Sequence, residues 1–174
     1  MSQRWRKALT IALGLVLVSG VATARLLVWP TQGTPVQVSA IVMLAGPGSR
    51  LPAALKLARE HRAEVLVVSR GAHGYGGPCP PRPSGVQLIC FDADPADTRG
   101  EAEFVGRIAR QHRWHSMVLI VSRTQATRAR IIMARCFNGP IYVSTAPLPL
   151  RSWPYEIAYG WAALIKAVAL DTSC

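Results

Sequence analysis

The sequence predicts an α/β domain, a Rossmann-like three-layer arrangement with a mainly parallel five-stranded sheet, preceded by one N-terminal transmembrane helix. Short apolar runs rich in β-branched residues alternate with helix-length segments, as in βαβ units. Several of these runs lack polar alternation, as strands covered on both faces do. With 174 residues, the chain has room for one such domain and an appendage. We assign residues 1–30 to a membrane anchor or signal segment, 31–36 to a linker and 37–170 to the domain.

The N-terminal segment has the pattern of a targeting sequence. Basic residues at Arg4, Arg6 and Lys7 precede an apolar run over residues 8–29 whose only charge is Arg25. As a helix, this run spans roughly 33 Å, close to the ~30 Å hydrocarbon core of a bilayer. It therefore predicts a single-pass membrane anchor.

A cleaved signal peptide is the alternative, with an apolar region over residues 8–21 and a small-residue cleavage site ending at Ala24. The basic residues lie on the N-terminal side of the apolar run. The positive-inside rule therefore places the domain on the extracytoplasmic side, held at the cell membrane or, after cleavage, secreted.

The five strands and four helices of the domain follow from the apolar runs and their periodicity. Strands are predicted at residues 37–44, 64–69, 86–91, 117–122 and 141–145. Helices are predicted at 51–61, 99–112, 125–135 and 154–170. Residues 70–85 contain five glycines and four prolines and form a long loop, either a mobile cover over a site or a surface excursion pinned by a disulfide.

Four cysteines in a domain predicted to be exported permit disulfides. We expect Cys79 to pair with Cys90 and Cys136 with Cys174, although four cysteines allow three connectivities and unpaired thiols are the alternative. No Cys-x-x-Cys spacing occurs, and neither a metal site nor a cofactor is predicted.

The charge balance is basic: twenty Lys and Arg stand against nine Asp and Glu, and residues 31–174 alone carry +7. Nucleic acid is not expected as a partner, because the chain has an export segment and no basic stripe interleaved with aromatic residues. An anionic partner at the membrane fits the charge better.

Ligands of open parallel sheets bind beyond the carboxyl ends of the strands, so the residues that follow each strand are the candidate site. Polar or glycine residues follow the first, second and fourth strands: Gly46, Gly48, Ser49, Arg50, Ser69, Ser122 and Arg123. The first turn matches neither a dinucleotide fingerprint nor a P-loop, and a Gly/Pro turn with a serine N-cap is its alternative interpretation.

The third strand leads into an acidic segment with two interpretations. Thr98, or the aspartate before it, is suited to an N-cap with Glu101 completing a capping box. Asp92 and Asp94 are the residues for which metal binding stays open. Asp92 and Glu101 are also the weak candidates for a proton-transfer group.

Arginines dominate the remaining candidates. We expect Arg128, one turn inside the helix after the fourth strand, to face the ligand, and Arg130 and Arg135 to point elsewhere. Guanidinium groups bind phosphate bidentately. Five arginines are therefore candidates to converge on one phosphorylated ligand: Arg50, Arg70, Arg99, Arg123 and Arg128. A dispersed set is the alternative, because the chain has 17 arginines.

The ordered motifs resemble the YdcF/SanA-like (ElyC-type) family of bacterial envelope proteins, over residues 38–168. The resemblance rests on the strand and glycine turn of residues 41–50, the strand end 67–71, the block 97–102, the strand-plus-helix 121–129, and a final helix that carries Glu156. It implies one membrane segment, a Rossmann-like domain and a role in envelope integrity or in handling cell-wall or polyprenyl-phosphate precursors. For some cytoplasmic-type members it implies a proposed S-adenosylmethionine interaction.

The chain departs from the family pattern at three positions. Arg70 replaces a glycine, Gly100 stands where an acidic residue is common, and Gln125 stands where a histidine is usual. An acid–base step carried by that histidine is therefore not expected here, and whether the protein is an enzyme stays open.

These observations predict a membrane-anchored protein of envelope biogenesis that binds a phosphorylated, polyprenyl-phosphate-type precursor. The predicted ligand-binding residues are Gly46, Gly48, Ser49, Arg50, Ser69, Thr98, Arg99, Ser122, Arg123 and Arg128. The alternative is a non-catalytic basic module that docks on anionic lipid or wall polymer.

Overall fold

The computed structural model describes residues 3–33, 36–71 and 78–174. Within them, a five-stranded, all-parallel sheet has the strand order β3-β2-β1-β4-β5. The strands are β1 (Ala40–Met43), β2 (Val65–Ser69), β3 (Gln87–Phe91), β4 (Met117–Ser122) and β5 (Ile141–Ala146). The predicted parallel α/β architecture is confirmed. The predicted loop over residues 70–85 falls partly outside the described residues.

Helices cover both faces of the sheet. They are α2 (Leu51–Arg59), α3 (Thr98–Gln111), α4 (Arg123–Cys136) and α5 (Trp153–Ala169), and α1 (Gln3–Thr23) precedes the domain. One core cluster lies between the sheet and α3 and α4, around Leu119 and Met133. The other lies on the opposite face with α2, around Ile41 and Leu66. The three central strands are buried on both sides, which explains their uninterrupted apolar sequences.

α1 and a π-helical turn at Ala24–Val28 form one apolar helix, Gln3–Val28, that is long enough to cross a membrane. A signal sequence would meet the same criteria of length and composition. Its residues up to Val21 are exposed, but Leu27 is buried against the domain.

Two disulfides join residues that are 11 and 38 positions apart in sequence. Cys79 is bonded to Cys90 in β3, and Cys136 at the end of α4 is bonded to Cys174. The second bond fixes the C-terminus of the described chain beside α4, next to the end of α5.

Candidate functional site

A cavity of about 410 Å³ opens at the carboxyl edge of the sheet. It lies beside the ends of β1 and β4, where the strand order reverses direction. This switch point is where open α/β sheets bind ligands, because the loops after the two strands separate there. Its apolar lining consists of five alanines and one isoleucine: Ala45, Ala93, Ala96, Ile132, Ala162 and Ala163. Polar groups cover the rest: Asp97, Thr98, Glu101, Gln125, Arg128, Tyr159, Lys166 and Asp171.

Arg128 is the buried cation of this cavity. It lies on α4, and only 8% of its surface is exposed. Its Cζ atom lies 5.5 Å from the centre of the Tyr159 ring. Within the part of the chain that the structure describes, the guanidinium makes no hydrogen bond, and Nε is buried without a partner. Since a buried charged donor is costly to leave unpaired, Arg128 is suited to an anionic ligand.

Glu101 is the buried carboxylate of the cavity. α3 carries it, its exposure is 3%, and one of its oxygens accepts a 2.6 Å hydrogen bond from the amide of Ala45. Burial raises the pKa of Glu101. The Ser69 hydroxyl, the Ala45 amide and the positive charges of Arg50 and Arg128 oppose that rise. The group can therefore hold a proton at higher pH than an exposed glutamate does.

A second buried arginine lies behind the cavity wall. Arg50 donates to the carbonyl of Leu44 at 2.6 Å and to Oε1 of Gln125 at 3.3 Å. Burial lowers the pKa of Arg50 to about 10, while Glu101 and Glu156 oppose that change, so the group remains a cation near neutral pH. Arg50 thus balances buried carboxylates and does not line this cavity.

Ion pairs lie at the α5 side of the cavity. Lys166 lies 3.4 Å from Asp97 and 3.3 Å from Asp171. Burial would raise the pKa of Asp97, but hydrogen bonds from the amides of Gly100 and Arg99 and from Lys166 hold it below its usual range. The charged groups on the lining are thus three carboxyls and two cations, of which Arg128 is free of close ion pairs among the described residues.

The glycines in the turn after β1 allow the Gln125 side chain and the Pro147 backbone to lie close to the turn. Gly46 has a φ of +131°, and a Cβ there would overlap the side-chain amide of Gln125. Gly48 has a φ of +93°, and a Cβ would lie 2.9 Å from the carbonyl oxygen of Pro147. Only glycine satisfies both requirements.

This turn mainly lines a smaller pocket of about 230 Å³, which contains Gly48, Ser49, Arg50 and Ser69, while Gly46 borders both pockets. The interpretation of Ser49 as an N-cap is wrong. Arg50 holds the N-cap position of α2 and its side chain makes no capping bond, because its guanidinium is directed to the Leu44 carbonyl.

The structure does not bring the five predicted arginines together. Arg70, which follows β2, forms an ion pair with Asp92, which follows the neighbouring strand β3. Arg99 pairs with Glu103 one turn later, at 3.4 Å. These two cations are held by nearby carboxylates, and Arg123 is half-buried outside the cavity lining. Of the five, Arg128 alone lines the cavity.

Arg130 and Arg135 point elsewhere, as predicted. Arg130 donates to the carbonyl of Thr31, and Arg135 donates to the carbonyls of Ala167 and Asp171. α4 begins at Arg123, two residues before the predicted start, because it follows β4 without a loop.

Of the two N-cap candidates, Asp97 is confirmed, and the capping box proposed for Thr98 and Glu101 is wrong. Asp97 is the N-cap of α3 and accepts from the amides of Arg99 and Gly100, and Thr98 is the first helical residue. Glu101 turns inward to the Ala45 amide instead. Ser122 ends β4 fully buried, with a hydroxyl that has no partner in the described part of the chain.

Sequence reasoning missed several residues of the site. Glu101 was predicted as a capping residue and a weak proton-transfer candidate, and its burial was not foreseen. Its position four and seven residues before Val105 and Ile108 is the signal that could have placed it on the buried face of α3. Gln125 was noted only as a departure from a family pattern. For Tyr159, Lys166 and Asp171 the sequence carries no local signal, because their place depends on how α5 packs.

No family model, curated protein or solved structure matches the chain. The resemblance to YdcF/SanA-like proteins therefore stays an interpretation of the motifs. At one departure the structure gives a physical reason: a Cβ at Gly100 would lie 2.7 Å from the backbone nitrogen of Pro95, so no side chain fits. The acidic group of this helix comes from Glu101, the next residue.

Proposed function

We propose that the protein is anchored in the bacterial cell membrane and binds a phosphorylated, polyprenyl-phosphate-type precursor of the cell envelope on the extracytoplasmic side. The buried guanidinium of Arg128, without a hydrogen-bond partner among the described residues, carries the proposal. A phosphate monoester offers this donor the oxygen acceptors that the described part of the protein does not.

The composition of the cavity supports a ligand that is both charged and apolar. Alanines and Ile132 form the apolar part of the lining and would contact hydrocarbon next to the phosphate. Because Lys166 is already paired to two aspartates, Arg128 is the one free cation among the described residues that line the cavity, which fits one phosphate group better than a pyrophosphate. This single-arginine site replaces the five-arginine clamp expected from the sequence.

Glu101 gives the site a dependence on pH. A neutral carboxyl group donates a hydrogen bond to a phosphate oxygen, whereas an ionised one repels it. Because burial raises the pKa of Glu101, we expect affinity for the phosphate to fall as pH rises through that pKa.

The test is a binding titration of the full chain in detergent with farnesyl phosphate, a short polyprenyl phosphate, alongside farnesol and inorganic phosphate. We expect farnesyl phosphate to bind in preference to both. Arg128→Met should lower its affinity about 10- to 100-fold, the loss expected when a charge-assisted hydrogen bond is removed.

The matched control is Arg59→Met, which removes the same charge from an exposed position at the end of α2. It should leave the affinity unchanged. Equal binding of farnesol and farnesyl phosphate, or an unchanged affinity in Arg128→Met, would contradict the proposal.

A second candidate function, a basic docking module, has its own supporting observation. Arg107, Arg110 and Arg113 are exposed at and just after the C-terminal end of α3, whereas the cavity lies at its N-terminal end. If this patch were the functional surface, binding to anionic vesicles would weaken steeply with salt and would be insensitive to Arg128→Met.

A further inference from the structure

The outer face of α5 is apolar, which is unusual for a helix on the surface of a domain. Its exposed residues are Pro154, Tyr155, Ala158, Tyr159, Ala162, Ile165, Lys166, Val168 and Ala169. Lys166 alone among them is charged, and the one acidic residue of the helix, Glu156, is buried. Tyr155 and Ile165 have 68% and 62% of their surface exposed.

The end of α1 is fixed to this side of the domain. The indole of Trp161, on α5, donates a 3.0 Å hydrogen bond to the hydroxyl of Thr23, the last residue of α1. Leu27 is 1% exposed and packs against Gly160, where a Cβ would lie 3.2 Å from its methyl group. Thr127 donates to the carbonyl of Leu26 at 2.6 Å.

These contacts set the distance between α5 and the membrane. Lys7 marks the cytoplasmic boundary of the apolar segment, and Thr23 follows it by sixteen residues, or about 24 Å of helix. The hydrocarbon core is about 30 Å thick. If α1 spans the bilayer, Thr23 therefore lies at or inside the outer boundary of that core, and Trp161 lies at the same level.

We propose that α5 is an interfacial helix whose apolar outer face is seated in the outer leaflet of the lipid bilayer. Tyrosine rings are suited to this depth because they are apolar with a polar end. Arg25, in the π-helical turn Ala24–Val28, and Arg151, two residues before α5, are both exposed and suit anionic headgroups. The inference depends on the anchoring part of the proposed function, but not on the identity of the ligand.

Seating α5 in the bilayer would place the cavity at the membrane surface. Tyr159, Ala162 and Lys166 are exposed residues of α5 that also line the cavity. A polyprenyl phosphate could then present its phosphate to Arg128 while most of its hydrocarbon chain stays among the lipids. The protein would not need to extract its ligand from the membrane.

The test places one fluorescent label at a time on the full chain, reconstituted in phosphatidylcholine vesicles whose acyl chains are brominated near the headgroup. Because all four native cysteines form disulfides, an introduced cysteine is the one free thiol. Labels at Tyr155→Cys and Ile165→Cys should lose fluorescence to the brominated lipid. Leu13→Cys, in α1, is the positive control, and Arg107→Cys, on α3, should keep its fluorescence.

The outcomes separate failure of the inference from failure of the anchor. Quenching at Leu13 without quenching at residues 155 and 165 would overturn the interfacial helix and leave the anchor intact. If the labels at residues 155 and 165 were unquenched by lipid yet shielded from aqueous iodide, a protein partner would cover the outer face of α5. That result would also overturn the interfacial helix. No quenching at Leu13 would overturn the anchor and the inference together.

Discussion

Two arginines lie buried at the same edge of the sheet, and their surroundings differ. Arg50 is 4% exposed and Arg128 is 8% exposed. Arg50 donates to the Leu44 carbonyl and to Gln125, and two buried carboxylates surround its charge. Arg128 faces the cavity, stacks on Tyr159 and makes no hydrogen bond to any residue that the structure describes.

The difference separates a cation held by hydrogen bonds within the fold from a cation that is open to a ligand. A buried charge that is fully hydrogen-bonded holds its neighbours in place, and its removal leaves them unpaired. A buried charge whose donors face an open cavity stabilises the fold less and can bond to a ligand instead. We therefore expect substitutions at the two positions to affect different properties.

The largest effect should come from Arg50→Met, compared with Arg128→Met. Loss of the Arg50 charge removes a compensating cation from Glu101 and Glu156 and leaves the Leu44 carbonyl unpaired, so we expect the free energy of unfolding to fall by about 3 kcal/mol or more. Arg128→Met should cost about 1 kcal/mol or less. Urea unfolding of both variants checks this, and equal losses would remove the distinction between the two arginines.

Next in size is the pH dependence that Glu101 imposes on stability. Because its pKa is raised, the folded state holds the proton more tightly than the unfolded state, whose value is near 4.5. The resulting stabilisation is fully present below that value and is lost as pH rises through the raised pKa.

Glu101→Gln should remove this loss, because the amide cannot ionise and its oxygen still accepts from the Ala45 amide. As pH rises from acid to neutral, the melting temperature of the parent protein should therefore fall relative to that of Glu101→Gln. Thermal melts of the two proteins over this pH range check the prediction. Parallel curves would show that Glu101 does not titrate differently in the folded state.

A smaller effect is expected from Tyr159→Leu. The variant keeps an apolar side chain at the cavity but removes the ring on which the Arg128 guanidinium stacks. A cation–π contact of this kind is worth about 0.5–1 kcal/mol, so affinity for farnesyl phosphate should fall about two- to fivefold. An unchanged affinity would mean that the ring does not orient Arg128.

The smallest effect is expected from Arg123→Ala. Arg123 has the charge of Arg128 and begins the same helix, but it does not line the cavity. Affinity for farnesyl phosphate should therefore stay within about twofold of that of the parent protein. A loss as large as that of Arg128→Met would restore the arginine cluster predicted from the sequence.

The fold was predictable because it depends on patterns that lie within single segments. Uninterrupted apolar runs marked the central strands, and β2 ends at Ser69 and β4 at Ser122 as expected. The site was less predictable because it depends on which charges meet. Arg99 pairs with Glu103 four residues later in the same helix, a spacing that is visible in the sequence. Arg70 pairs with Asp92, and that contact depends on which strands are neighbours in the sheet.

The most direct test of the account is to observe the Arg128 guanidinium while ligand is added. In an NMR titration of the full chain in detergent, the arginine Nε–Hε signals would be followed as farnesyl phosphate is added. The Arg128 signal is assigned as the one missing from Arg128→Lys. We predict a saturable shift of that signal while the signal of Arg50 changes little. Movement of exposed arginine signals with no change at Arg128 would contradict the account.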